Sequence, residues 1–469
     1  MSELAKLLQH GEDAVYAGQF AQGEAAARHV IGQSPGTARA HYILAISSLF
    51  QNRHADALAH VEKAVELDGA ESQFHFTKGV CLAAVGRPAE AIHAYRRALE
   101  LRPMFFEARA NLGNLLETAQ RFDEAAEQYS RALRMKPDVV PVLNGLGVSE
   151  IAMGRFEDAV RHLQRALSLQ PDFATAHNNI ASAYGKLKQG EKAIEHLRRA
   201  VAIRPDFADA WISLGEQLYM AGRDKEAVPC LDRALAIDPD NEGIRYLRDS
   251  IAGVKVGRAP DTFVRDFFDR FAADFDKRLT VDLEYRTPQE FIAFLEPVFK
   301  SRPKMRIADL GCGTGLSGIL LRPHASYMVG VDLSGKMLEK ARERAVFDEL
   351  AEMEVAAFLE GREAASFDLV TAVDVFVYVG DLAPVFRASR HALPPRGLFA
   401  FSVERLDGAG EGEDFRLART GRYAHSDAYV KALAAKSGCA LVDERDTVLR
   451  KEDGKPVHGR LYLFEMLPG

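Results

Sequence analysis

Asp309 stands two residues ahead of a tight cluster of glycines, Gly311-Cys312-Gly313-Thr314-Gly315, at the end of the apolar run 307–310. Glycines in such succession let a backbone turn sharply and present its N–H groups to a ligand at short range. A pyrophosphate is the common occupant of a turn of this kind, but its fingerprint is G-x-G-x-x-G, whose third glycine lets the helix pack on the strand. Here the spacing is G-x-G-x-G, and the Asp309 carboxylate would repel a phosphate and attract positive charge. A second acid, Asp332, follows Gly311 by 21 residues at the end of the next predicted strand, where a carboxylate can accept from both hydroxyls of a ribose. The ligand so described carries a ribose, needs close backbone contact and tolerates negative charge around it.

S-adenosylmethionine, with a ribose, an ammonium and a sulfonium, has these properties. DLGCGTG (309–315), followed at this spacing by VGVDLS (329–334), resembles the class I S-adenosylmethionine-dependent methyltransferases, in the ubiquinone and biotin methyltransferase branch. The resemblance implies roles for particular residues. Gly311, Cys312, Gly313 and Gly315 would lie beside the methionine part, with Asp309 near its ammonium and Asp332 on the ribose. Leu333 and Met337 would flank the adenine, and Glu354, ending the third strand, would accept from the adenine amino group. Tyr285 and the phenylalanines upstream would close over the cofactor, or pack as core. The product would be S-adenosylhomocysteine.

Methyl transfer is an in-line displacement, so positioning supplies much of the rate, and a base is needed only where the acceptor must lose a proton. The acceptor is expected over the carboxyl ends of the fourth and fifth strands. In VDVFVYVGDL (373–382), Asp374 and Tyr378 match positions that are Glu and His in the EMLEHV pattern of ubiquinone O-methyltransferases. Tyrosine there removes a base poised near neutral pH, leaving Tyr378 to orient the acceptor or to pack. Asp374 would act on the acceptor, near the cofactor, or structurally. In GRYAHSDAY (421–429), His425 is the general-base candidate, or else an exposed loop histidine, and Ser426 reads as a helix N-cap. Glu404, ending LFAFSVE, is a third candidate base.

The elements that would position these groups alternate between strand and helix. MRIADL, YMVGVDL, MEVAAF, FDLVTAVDV and LFAFSVE read as strands, with helices from about 315, through MLEKARERA, and near 382–393. Such alternation gives a parallel sheet with crossover helices. ALVDERDTVLR and GRLYLFEM, either side of Asp453-Gly454, read as a terminal antiparallel hairpin, so the expected domain is a Rossmann-like α/β fold with a mostly parallel seven-stranded sheet. Ahead of it, Phe263, Phe267, Phe271 and Phe275 recur every four residues on one helical face. Thr287, Pro288 and Glu290 read as N-cap, first helical residue and capping-box partner of a helix over 288–300.

The first half obeys a different rule. PAEAIHAYRRALELRPM (88–104) recurs in altered form as FDEAAEQYSRALRMKPD (122–138), and alanines and prolines return every 34 residues, the latter at Pro103, Pro137, Pro171, Pro205 and Pro239. This period resembles the tetratricopeptide repeat, in which two antiparallel helices bury their apolar faces only by stacking on neighbours. An all-α solenoid of about seven repeats is expected over 1–241, then a capping helix and linker over 242–260, then the methyltransferase domain over 261–469. The whole chain resembles the bacterial tetratricopeptide-repeat methyltransferases. Asn111 and Asn179 fall where such repeats carry peptide-binding asparagines, with Tyr42, Phe76, Asn144 and Asn178 one position earlier. The groove would then hold a protein or peptide; arrays of this kind also serve as surfaces for homo-oligomers.

Across 469 residues, 47% hydrophobic and 27% charged content are globular values, and a net charge of -7 argues against nucleic acid as partner or acceptor. The first residues lack the pattern of a signal peptide and no long apolar run follows, so no membrane association and a cytoplasmic location are expected. Four scattered cysteines without a C-x-x-C predict neither disulfide nor metal site. Three functions remain open: a methyltransferase whose repeats recruit a protein substrate or partner, a small-molecule methyltransferase with repeats for assembly, and a cofactor-binding adaptor without catalysis.

Overall fold

A computed structural model describes residues 3–254, 256–272, 275–277, 285–302, 304–408, 410, 412–418, 421–452 and 454–468. The chain forms two compact units, Met1–Ala221 and Gly222–Gly469. The first is built from antiparallel helix pairs, from α1 (Glu3–Tyr16) and α2 (Phe20–Gln33) to α13 (Ala208–Met220). Its regularity is set by two local devices. The turn within each pair holds one residue in the left-handed region, at Gly18, Asn52, Gly86, Gln120, Gly154 and Lys188, in steps of 34 residues. Glycine adopts that conformation without cost, whereas Gln120 and Lys188 are held there by the helices on either side. Past the second helix of a pair, the backbone carbonyl is held by a side chain six residues on: His75 on Gly69, Arg109 on Pro103, His177 on Pro171 and Trp211 on Pro205. Proline ends the helix, and the side-chain bond fixes the angle at which the next pair starts.

The residues read as groove-lining are largely engaged within the unit. Tyr42 is buried, and Phe76 packs on Tyr95 and Phe105. The Asn111 amide reaches the Tyr95 hydroxyl at 3.5 Å, and the Asn179 amide donates to Asn144 at 2.9 Å.

The second unit opens with α14 (Asp224–Ile237) and α15 (Glu242–Ile251), capped by Asn241, whose side chain accepts from the Ile244 N–H. Next come α16 (Asp261–Phe271), the short α17 (Phe275–Lys277) and α18 (Thr287–Ser301). Strands β1 (Met305–Leu310), β2 (Ala325–Asp332), β3 (Glu349–Glu352), β4 (Leu369–Ala372) and β5 (Leu398–Arg405) follow. Between them lie α19 (Leu316–Leu321), α20 (Gly335–Glu343), α21 (Val355–Glu360) and α22 (Ala383–Ala392). The chain closes with β6 (Phe415–Leu417), β7 (Tyr423–His425), α23 (Asp427–Lys436), β8 (Cys439–Glu452) and β9 (Lys455–Met466). Neighbours run β3-β2-β1-β4-β5-β7-β6, with β9 antiparallel to β5 and β8 outside it. The direction of winding reverses between β1 and β4, and a ligand crevice is expected beyond the strand ends at such a point.

The sheet therefore has nine strands among the described residues, two more than expected: the β6–β7 hairpin adds an arm at the end of β5. MEVAAF is not the third strand; ELAE pairs with β2 instead, and Glu354 caps α21 by accepting from the Ala357 N–H at 2.8 Å. The Thr287 capping box is also absent. Thr287 is fully buried and donates to the Leu449 carbonyl at 2.6 Å, while Glu290 bonds Thr447, so both tie α18 to β8. Asp453, the first half of the predicted hairpin turn, lies outside the described residues. Among the described residues no helix is long and apolar enough to cross a membrane.

Candidate functional site

At the switch point of the second unit lies a cavity of about 560 Å³, bounded by the loops after β1, β2 and β4 and roofed by α16 and α17. Gly311 and Gly313, both lining it, hold left-handed backbone at φ 61° and 55°. A Cβ on Gly311 would stand 2.4 Å from Val375 Cγ2, whereas the space before Gly313 is open, with Phe275 at 3.9 Å. The loop is thus closed to side chains at one glycine and leaves bare backbone facing the cavity at the other.

Asp332 binds this loop to the next. Its carboxylate accepts from the Gly313 N–H and the Ser334 N–H, each at 2.9 Å, and it lines the cavity. Burial lifts its pKa to about 6, opposed by those backbone bonds. Asp309 sits deeper, almost fully buried, accepting from Ser317 Oγ at 2.7 Å and Thr371 Oγ1 at 2.9 Å. It faces Thr371 across β4 and is not in the cavity wall, so any pull on a cofactor ammonium acts from behind the loop. Burial raises Asp309 to about 6 as well.

The remaining expected cofactor residues divide. Cys312, Leu333, Glu354 and Tyr285 line the cavity. Met337 does not; it is wholly buried beneath the β2 loop, where its N–H caps onto Ser334 Oγ. Gly315 packs on Phe347 and Arg344 at the start of α19.

Two carboxylates and an arginine tie the roof to the site. Arg265 donates to the Leu333 carbonyl at 3.3 Å, Asp269 accepts from Ser334 Oγ, and Asp276 accepts from Thr314 Oγ1 and pairs with Arg344. Phe267, Phe268 and Phe275 face the cavity, with Phe268 5.4 Å from the Tyr378 ring. Phe263 instead packs on Tyr246 of α15 at 5.2 Å, so the four-residue stripe divides between core and roof. The side chain of Phe271 lies outside the described set. The segment 256–259 is strapped to the loop after β4: the Ala259 N–H donates to the Tyr378 carbonyl, the Gly380 N–H to the Gly257 carbonyl, and Tyr423 Oη to the Val256 carbonyl.

Asp374 also lines the cavity. Asp374, at φ 58°, is a strained position for an aspartate, and its N–H donates to Ser402 Oγ at 2.8 Å while that hydroxyl turns back on its carboxylate. Burial raises the Asp374 pKa, against the opposing charge of Arg450, whose Nη1 lies 3.7 Å from it. Tyr285 is held as a neutral phenol, well above its ordinary value, by burial and by Asp374.

His425 is a correction to the sequence reading. It is 1% exposed, outside the cavity wall, and its Nε2–H donates to the Val379 and Gly380 carbonyls at 2.9 and 3.1 Å. It braces the loop carrying Tyr378 from outside the cavity, and burial drives its pKa down to about 4. Glu404 is likewise engaged, paired with the buried Arg450. Arg450 and Arg422, both in the cavity wall, went unread in the sequence. Their strand and loop follow β5 by many residues, and no local spacing marks them.

Comparison with known proteins finds both kinds of structure in the chain. A methyltransferase-domain model matches residues 308–399, and tetratricopeptide-repeat models match 8–73, 76–139, 144–206 and 186–251. A ubiquinone biosynthesis O-methyltransferase of Neisseria meningitidis serogroup C (strain 053442) is 33% identical over 103 residues, 21% of this chain and 43% of that protein. The corresponding protein of Ralstonia nicotianae is 33% identical over 105 residues, 21% of this chain and 42% of its own length. The chain thus spans less than half the length of these curated relatives. Among solved structures, MamA shares 25% identity over 34% of this chain and 94% of its own, with a TM-score of 0.33. The chain therefore joins tetratricopeptide repeats to a class I methyltransferase domain.

Proposed function

We propose that the chain is an S-adenosylmethionine-dependent methyltransferase whose repeat array, 1–241, recruits a protein substrate or partner. One observation carries the catalytic half: a single cavity is lined by the bare backbone of Gly313, the Asp332 carboxylate and the Asp374 carboxylate. The residues fit the cofactor. Asp332 retains lone pairs for the ribose hydroxyls beyond its two backbone bonds, Leu333 supplies an apolar wall for the adenine, and Gly313 admits close contact. When bound, S-adenosylmethionine supplies a methyl group made electrophilic by its sulfonium.

The chain's own residues do the rest. Phe267, Phe268 and Phe275 exclude water from above, which strengthens every charge interaction within. Asp374, raised by burial yet held beside Arg450, accepts the proton of an acceptor hydroxyl or amine as the new bond to carbon forms. Tyr378 and Tyr285, both in the cavity wall, orient that acceptor.

The test combines methyl-labelled cofactor, lysate from the source organism, and wild type beside Asp374→Asn. Label entering protein in the wild type, and falling at least about 10²-fold in the variant, supports the reading. Label confined to small molecules would instead make the repeats an assembly surface. No transfer by the wild type, with cofactor bound, would favour an adaptor.

A further inference from the structure

Arg450 is the most deeply buried cation in the cavity wall, with 4% of its side chain exposed. Its Nε donates to Glu452 at 2.7 Å and its Nη2 is paired with Glu404. Nη1 is different. Its nearest carboxylate oxygen, on Asp374, stands at 3.7 Å, beyond hydrogen-bond range, and no other protein acceptor is bonded to it among the described residues. Nη1 therefore makes no hydrogen bond to the protein among the described residues and, on a residue that lines the cavity, leaves its N–H donors open to whatever occupies it. Arg422 stands beside it, paired with Glu452 and also in the wall.

We propose that Arg450 Nη1, with Arg422, binds a carboxylate of the methyl acceptor and so selects acidic acceptors; this rests on the methyltransferase reading above. A carboxylate is favoured over a phosphate by charge. Asp374, Glu404 and Glu452 already surround the two guanidinium groups, so a dianion would meet three like charges, whereas a monoanion meets the least repulsion and needs only a single charge-assisted bond from Nη1. The acidic group anchors the acceptor, and its nucleophile is left to face the sulfonium side of the cavity near Asp374.

The full-length protein loaded with S-adenosylhomocysteine is titrated, by calorimetry and by protein NMR, with two acids and their neutral amides. The pairs are benzoate against benzamide, and N-acetylglutamate amide against N-acetylglutamine amide. Saturable binding of either acid, about tenfold or more tighter than its amide, is expected, and which acid wins distinguishes a free aromatic acid from a protein side chain. Arg422→Met and Arg450→Lys should each remove that preference while S-adenosylhomocysteine affinity stays within about twofold. Arg450→Lys keeps a charge in the buried cluster, so the test does not depend on a variant that fails to fold. Equal binding of acid and amide, or a preference unchanged in both variants, overturns the proposal. Failure of S-adenosylhomocysteine to bind at all would instead strike the methyltransferase reading.

Discussion

Replacing Asp309 by asparagine should stabilise the cofactor-free protein while weakening its hold on S-adenosylmethionine. The carboxylate is 1% exposed, and burial lifts its pKa from 3.8 to about 6. A folded-state pKa above the unfolded one means that the native state binds the proton more tightly. The favourable contribution is therefore complete below about pH 4 and is lost as pH rises through 6. At pH 7 the ionised group then costs roughly (6 − 3.8) × 1.36, or about 3 kcal/mol. Asparagine keeps the shape, and its neighbours are the hydroxyls of Ser317 and Thr371, which can rotate to accept or donate as required. Calorimetric unfolding without cofactor, followed on the transition that S-adenosylhomocysteine shifts, should show Asp309→Asn more stable than wild type by up to about 3 kcal/mol at pH 7. The gap should close toward pH 4. A variant less stable than wild type at pH 7, or a gap independent of pH, would refute the assignment of a buried, costly carboxylate kept for its charge.

Other outcomes follow from named contacts. Gly311→Ala places a Cβ 2.4 Å from Val375 Cγ2 at φ 61°, so cofactor binding should be lost and the unit destabilised by about 2 kcal/mol or more, read by chemical denaturation. His425→Gln should lower stability by about 1–3 kcal/mol through the two bereaved carbonyls, yet leave the pH dependence of methyl transfer unchanged near neutrality. A shifted profile would return His425 to the catalytic set. Gln120→Gly should stabilise the repeat unit by about 0.5–1 kcal/mol, because the residue sits at φ 58° where its neighbours in the series use glycine. Trp211, the sole tryptophan, bonds the Pro205 carbonyl, and its emission should change when a partner occupies the groove; silence with a confirmed partner would place that partner elsewhere.

Much of the fold was readable because its signals are local. The 34-residue period fixed helix pairs, turns and proline stops, and the structure repeats its left-handed turn at that interval. The glycine loop and Asp332 were equally plain, since both lie at strand ends a fixed distance apart. Readings failed where a long-range partner outbid a local motif. Thr287 and Glu290 spell a capping box, but β8 lies close enough to take both side chains. His425 looked available in a polar loop, yet pairing of β7 with β5 carries it inward onto the Val379 carbonyl. Arg450 has no signature at all. Its importance comes from β8 returning it beside Glu404 and Asp374, residues 46 and 76 positions earlier.

The central claim, that this cavity holds S-adenosylmethionine through Asp332, is tested most directly by equilibrium binding of the cofactor to wild type and to Asp332→Ala. The account predicts saturable binding by the wild type and a loss of roughly 10²–10⁴-fold in the variant, from two charge-assisted bonds to the ribose and a loosened Gly313 loop. Equal affinity in the two proteins, or no binding by the wild type at millimolar cofactor, would contradict it.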